Sequence, residues 1–231
     1  MSGLCFFSAA NETVTTVWFL VQVGICGRTG SGKSSLARSL FSAVHVCSGE
    51  ILLDGVNIAR VPLSRLRSSL SIIPQDPVLF SGSIRFNLDP HHTVDDDELW
   101  NVLKIAQLQQ LVLGLPHQLE TVVTDAGENF SVGQKQLFCL ARALLRRCRV
   151  LVMDEATASI DVETDRIIHN IVQEQLSDCT VLIIAHRLST IRSCDMIVVL
   201  SDGHVVEAGP PGQLSANPNG HFAKILAENQ L

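Results

Sequence analysis

The chain has 231 residues, 46% of them apolar and 17% charged, with a formal net charge of −6. That supplies one ordinary core, and the mild acidity excludes a non-specific nucleic-acid binder, which needs clustered basic surface. Seven cysteines in odd number, with no Cys-x-x-Cys pair, point to neither a disulfide framework nor a zinc site but to a reduced, cytosolic environment. No run reaches the roughly 18 unbroken apolar residues of a membrane span, and Met1 to Ala10 lacks the basic flank of a signal peptide.

The first strong signal is the run Val17 to Cys26, read as ending in a buried strand. Behind it stands Gly27-Arg28-Thr29-Gly30-Ser31-Gly32-Lys33-Ser34-Ser35, a Gly-x4-Gly-Lys-Ser phosphate loop. Successive backbone N–H groups in such a loop fold around phosphate oxygens. Lys33 adds a point charge for the β/γ-phosphates, and the Ser34 hydroxyl is placed for Mg²⁺. The spacing calls for a nucleoside triphosphate. Leu36, Ala37, Leu40 and Phe41 continue at helical spacing.

Ile51 to Leu53 and Val56 to Ile58 flank Asp54-Gly55 and predict a short hairpin. Pro62 opens a short helix to about Leu70, and Ser71 to Ile73 is a buried strand stopped by Pro74. From about Asp89 to Arg149 helical signals dominate. Asp95, Asp96, Asp97 and Glu98 crowd a helix N-terminus, where the dipole favours them; a metal site is the alternative. Arg142, Arg146, Arg147 and Arg149 read as a solvated helix end. Strands return at Val150 to Met153, Val181 to Ile184 and Met196 to Leu200, around a helix from about Asp161 to Leu176. A hairpin at Asp202-Gly203 and a helix from Phe222 to Glu228 close the chain. This alternation predicts an α/β fold with a mostly parallel sheet and covering helices.

Three further segments carry chemistry. Asp154 and Glu155 end a buried strand, where ligands of open α/β sheets gather. Asp154 is read toward Mg²⁺ and Glu155 as the group that deprotonates the attacking water; capping of the next helix is the alternative for both. His186 follows the strand Val181 to Ala185 and is either a structural histidine or a neighbour of the γ-phosphate. Phe130-Ser131-Val132-Gly133-Gln134 begins a helix. Ser131 is an ordinary N-cap or one half of a second anion site that a facing domain would complete.

With these motifs in place, the chain resembles the nucleotide-binding domain of ATP-binding cassette transporters. The stretches Ser81-Gly82-Ser83-Ile84-Arg85-Phe86-Asn87-Leu88-Asp89-Pro90, Gly127 to Gln134 and Asp154-Glu155-Ala156-Thr157-Ala158-Ser159-Ile160-Asp161 look most like the C-terminal domain of the C subfamily. That subfamily includes the multidrug-resistance-associated proteins and the sulfonylurea receptors. The resemblance implies a P-loop NTPase of this type over residues 23–231, with a helical subdomain at about 89–149 and an atypical segment at 1–22. It further implies that Gln75 senses Mg²⁺ and the attacking water, that Glu155 is the catalytic base and that His186 is the switch histidine. Ser131 and Gly133, with Gln134 beside them, would meet the γ-phosphate held by an opposite domain, and Asp161 would lie on the loop that faces it. ATP and Mg²⁺ are the implied cofactors. A second such domain and transmembrane domains are the implied partners, and the cytoplasmic face of a membrane is the implied location.

Two departures from the family pattern stand out. Val132 occupies the usual glycine of the signature, which predicts a weaker half-site there. The segment before Gln22 has no recognisable base-stacking strand or Pro-Gly-Glu turn, so no adenine-stacking residue is assigned and a truncated antiparallel β subdomain is expected. The reading is an ATP-hydrolysing domain powering export. A regulatory nucleotide-sensing cassette or a truncated, non-functional product are the alternatives.

Overall fold

Short unbroken apolar runs become strands buried on both faces, and four of the five parallel strands at the centre of this fold are of that kind. The structure is a computed structural model that describes residues 3–7, 14–18, 22–154, 160–184 and 188–228. The chain begins with β1 (Gly3–Phe7), β2 (Val14–Trp18), β3 (Gln22–Cys26), α1 (Lys33–Leu40), β4 (Glu50–Leu53) and β5 (Val56–Asn57). Next come α2 (Leu63–Ser69), β6 (Leu70–Ile73), β7 (Gly82–Ser83), α3 (Ile84–Leu88), α4 (Asp96–Ile105), α5 (Gln109–Leu113), β8 (Val122–Val123) and α6 (Val132–Arg146). The remainder is β9 (Val150–Asp154), α7 (Val162–Gln175), β10 (Thr180–Ile184), α8 (Leu188–Arg192), β11 (Met196–Ser201), β12 (His204–Gly209), α9 (Pro211–Ala216) and α10 (His221–Glu228).

The main sheet has the order β12-β11-β3-β10-β9-β6, parallel throughout except for β12, which returns antiparallel along β11. Its strands alternate between two cores, as a period of two requires. Val150, Val152, Leu182, Ile184, Val198 and Leu200 face the core that holds Ala37 and Leu40 of α1. Leu151, Met153, Val181, Ile183, Ile197 and Val199 face the opposite way, into the core shared with α4, α6 and α7. At Gly24 the helix α8 packs so closely that an added Cβ would lie 3.1 Å from Ile191 Cγ2.

A four-stranded antiparallel sheet, order β2-β1-β4-β5, flanks this layer. β1 pairs with β2 (Leu4 opposite Val17) and with β4 (Leu4 opposite Leu53). The truncation expected of this subdomain is therefore corrected: both strands are present, in a sequence unlike the family's. Residues 3–7 and 14–18 lack the family's turn, but Leu-Cys-Phe-Phe and Val-Thr-Thr-Val are β-branched and aromatic enough to pair.

The helical region follows its apolar face. Leu99, Val102 and Leu103 of α4 are buried together with Leu137, Phe138 and Leu140 of α6, and Phe130 meets Phe138 edge-on with centroids 5.2 Å apart. Asp95 caps α4 by accepting from the Glu98 amide at 2.9 Å. The acidic run thus serves as a helix start, with Asp96 paired to Arg85 and Glu98 to Arg147. The small β7–β8 sheet, α3, α8 and α9, the last of which buries no residue, have no counterpart in the sequence reading.

Candidate active site at the carboxyl edge of the sheet

The phosphate loop leaves β3 with a backbone that only glycine supplies at its first position. Gly27 has φ 151°, and a Cβ there would come 2.2 Å from the carbonyl oxygen of Leu200. Gly32, at φ 102°, is the left-handed N-cap from which α1 starts. The loop is tied twice: the Ser31 amide donates to Arg28 O at 3.1 Å, and the Gly203 amide donates to Ser31 O at 3.1 Å. The tip of the β11–β12 hairpin thereby braces the loop from behind.

Lys33 is 6% exposed and folds its ammonium back onto the carbonyls of Gly27 (2.9 Å) and Arg28 (3.1 Å). Two carbonyl dipoles do not neutralise a buried cation, so the site favours an anion over the loop. The Ser31 hydroxyl agrees: it is buried and has no hydrogen-bond partner among the described residues. The first amides of α1 add the usual orphan donors and the positive end of a dipole. An orphaned hydroxyl, a buried cation and a helix start converging on one loop fit a phosphate chain.

At the second residue of α1, Ser34 Oγ donates to Asp154 Oδ1 at 3.4 Å. Asp154 closes β9, directly beside the end of β10 through the Ile184–Asp154 pairing. The hydroxyl and the carboxylate form a hard-oxygen pair beneath the phosphate loop, a donor set that suits Mg²⁺. Gln75 leaves β6, whose Ile73 pairs with Met153 of β9, so it departs from the same edge and is exposed. Arg28 turns away to form an ion pair with Glu228 of α10 at 2.7 Å, and Thr29, Gly30 and Ser35 are exposed. Glu155 and His186 lie outside the described residues.

Ser131, Gly133 and Gln134 gather at the N-terminus of α6. Ser131 Oγ accepts from the Gln134 amide at 3.2 Å while Gln134 Oε1 accepts from the Ser131 amide at 2.9 Å, a reciprocal capping box. Gly133 is buried against α7, where a Cβ would stand 3.1 Å from Thr164 Oγ1. Asp161 caps α7 by accepting from the Thr164 amide (2.9 Å) and hydroxyl (2.8 Å), and these two donors hold its carboxyl below the usual carboxylate range. No hydrogen bond or ion pair links this group to the phosphate loop among the described residues.

The chain matches the ABC transporter family model over residues 17–158. It belongs to the ABC transporter family. It is 51% identical over 207 residues to "Multidrug resistance protein mrp-7" of Caenorhabditis elegans, covering 90% of this chain and 14% of that protein. It is also 51% identical over 205 residues to human "ATP-binding cassette sub-family C member 8", covering 89% of this chain and 13% of that one. This ABC chain thus spans about a seventh of the length of those relatives. Among solved structures it matches a bacterial Atm1-family ABC exporter with ATP bound, with a TM-score of 0.90 and 32% identity, over 100% of this chain and 42% of that one. The C-subfamily resemblance and the α/β fold of this transporter domain stand on these matches. No helix among its described residues is long and apolar enough to cross a membrane.

The sequence reading missed two residues of this ABC domain. Arg142, read there as part of a solvated helix end, is half-buried and donates to the backbone oxygen and Oδ1 of Asn87 and to Val78 O. Burial lowers its pKa, and its guanidinium stacks 5.4 Å from the Phe80 ring centroid. It sits within α6 between the buried Ala141 and Ala143, a position that signals an anchored rather than a free cation. Gln136, wholly buried, was likewise unremarked.

Proposed function

We propose that this chain is the ATP-binding and ATP-hydrolysing domain of a C-subfamily exporter, acting on the cytoplasmic face of a membrane. The observation that carries this reading is the Ser34–Asp154 contact beneath a loop whose Lys33 and Ser31 are both buried with no anionic partner among the described residues. Lys33 and the loop amides grip the β/γ-phosphates. Ser34 and Asp154 would hold Mg²⁺, with Gln75 facing it, and the ion supplies charge neutralisation on the transferring phosphoryl group. Glu155 takes the proton of the attacking water and His186 attends the γ-phosphate, as the resemblance implies.

Ser131, exposed at the start of α6, would meet the γ-phosphate bound by a second cassette, with Gly133 and Gln134 beside it. A transmembrane partner fits a groove of about 570 Å³ near Gln75, lined in part by Phe80, Phe86, Val78 and Leu70. Phe80 is 59% and Val78 50% exposed there, an apolar surface suited to a docked helix. Movement of the second cassette would reach the membrane helices through the Gln75 loop.

Glu155→Gln tests the assignment. Turnover is expected to fall at least about a hundredfold while MgATP still raises the melting temperature, because binding and proton removal are separate tasks. Unchanged turnover would refute the hydrolytic role. A melting curve that does not respond to millimolar MgATP would favour a non-functional fragment.

A further inference from the structure

Gln136, the fifth residue of α6, is 0% exposed and lies outside the phosphate site. Its Nε2 donates to Pro74 O at 2.9 Å and to Gln75 O at 3.3 Å. Both neighbours are carbonyls, which fixes the orientation of the side-chain amide. Its Oε1 then has no hydrogen-bond partner among the described residues. Burying a carboxamide with an unmet acceptor is unfavourable, and an apolar side chain of equal volume would avoid it. The two donors must therefore do something an apolar residue cannot.

What they hold is a segment anchored by the buried Leu79 but without backbone pairing of its own. Among the described residues, 75–80 make no backbone-to-backbone hydrogen bond. Side chains fix their path instead: Gln136 at Pro74 and Gln75, Arg142 at Val78, and Asn87 at Phe80, whose amide it accepts at 2.8 Å and whose carbonyl it donates to at 2.7 Å. Two of these three anchors belong to α6, and α6 opens on Ser131. The helix and the loop are stitched along their length.

We propose that Gln136 is a positioning residue. Its carboxamide sets the backbone at Pro74–Gln75, fixes the reach of the Gln75 side chain, and makes the Gln75 loop and the Ser131 end of α6 one moving body. This deepens the proposed function and rests on its reading of Gln75.

Amide order parameters of the purified chain read the loop directly. In the wild type, Gln75 and Asp76 are expected near the rigid value of about 0.85, and in Gln136→Glu, which sets a carboxylate against two carbonyls, below about 0.6. Residues of β9 should not change. ATP turnover at high protein concentration gives the second reading: kcat falls about tenfold or more with KM within about threefold. Combining Gln136→Glu with Gln75→Ala should be no slower than Gln75→Ala alone, because the first acts through the second. Losses that multiply, or a loop that stays rigid, would overturn the proposal. If Gln136→Glu does not fold, Gln136→Met, which keeps the volume and drops both donors, decides by the order parameters. Should Gln75→Ala hydrolyse ATP at the wild-type rate, the role given to Gln75 fails, while the order parameters still judge whether Gln136 holds the loop.

Discussion

The two regions proposed to meet phosphate are built on opposite plans. At the loop behind β3, Lys33 and the Ser31 hydroxyl are buried with needs that the described residues leave open. At the start of α6, Ser131 and Gln134 are exposed or half-buried and satisfy each other. The first region therefore gains from a ligand on its own. The second is complete without one and has to exchange an internal hydrogen bond for an external one, which becomes favourable only when a facing surface brings the phosphate to it. Strong capture and conditional engagement come from local hydrogen-bond accounting.

The comparison can be broken most severely at Lys33. Lys33→Ala should weaken MgATP binding by about 2–3 kcal/mol, roughly a hundredfold, because it removes charge-assisted contacts in a buried site. A thermal melt checks this, and the ligand-induced rise should vanish at concentrations that stabilise the wild type. Ser131→Ala sharpens the contrast with a smaller effect. Loss of the capping box should cost about 1 kcal/mol of stability, a few degrees of melting temperature, with the MgATP-induced rise of the isolated chain unchanged. If that rise disappeared, the two regions would not be independent.

The smallest effect concerns acid stability at Asp161. Its folded carboxyl lies below the usual range through the Thr164 amide and hydroxyl. Its contribution is thus present above the unfolded value of about 3.9 and is lost as pH falls through the lower folded value. Asparagine caps about as well as aspartate. Asp161→Asn should be slightly less stable at neutral pH and should converge with the wild type below that window, as urea melts across the acid range would show.

The loop-first region was legible because its chemistry is written in consecutive residues. Gly27 to Ser35 and the apolar runs at Val150 and Thr180 state their own structure, and the contact between Ser34 and Asp154 follows from where these runs end. Ser131 was legible as an N-cap for the same reason. Contacts that span distance were not. Gln136 and Arg142 have partners 62 and 64 residues away, and no local pattern marks a glutamine that will hold a loop. The strands β1 and β2 were misjudged because a missing family turn was taken for missing strands, although pairing with β4 depends on side-chain type and register rather than on that turn. Neither β7–β8, two residues each, nor α9, with no buried face, carries a periodicity to detect.

The brace behind the phosphate loop has a consequence for how such domains vary. Leu200 O leaves no space beside Gly27, and Gly203 donates to Ser31, so a hairpin some 170 residues downstream forms the back wall of the nucleotide cradle. Insertions that lengthen the β11–β12 turn at Asp202-Gly203 would slacken that wall without touching any ligand contact. The surface turn is therefore held to its length by a ligand it never touches.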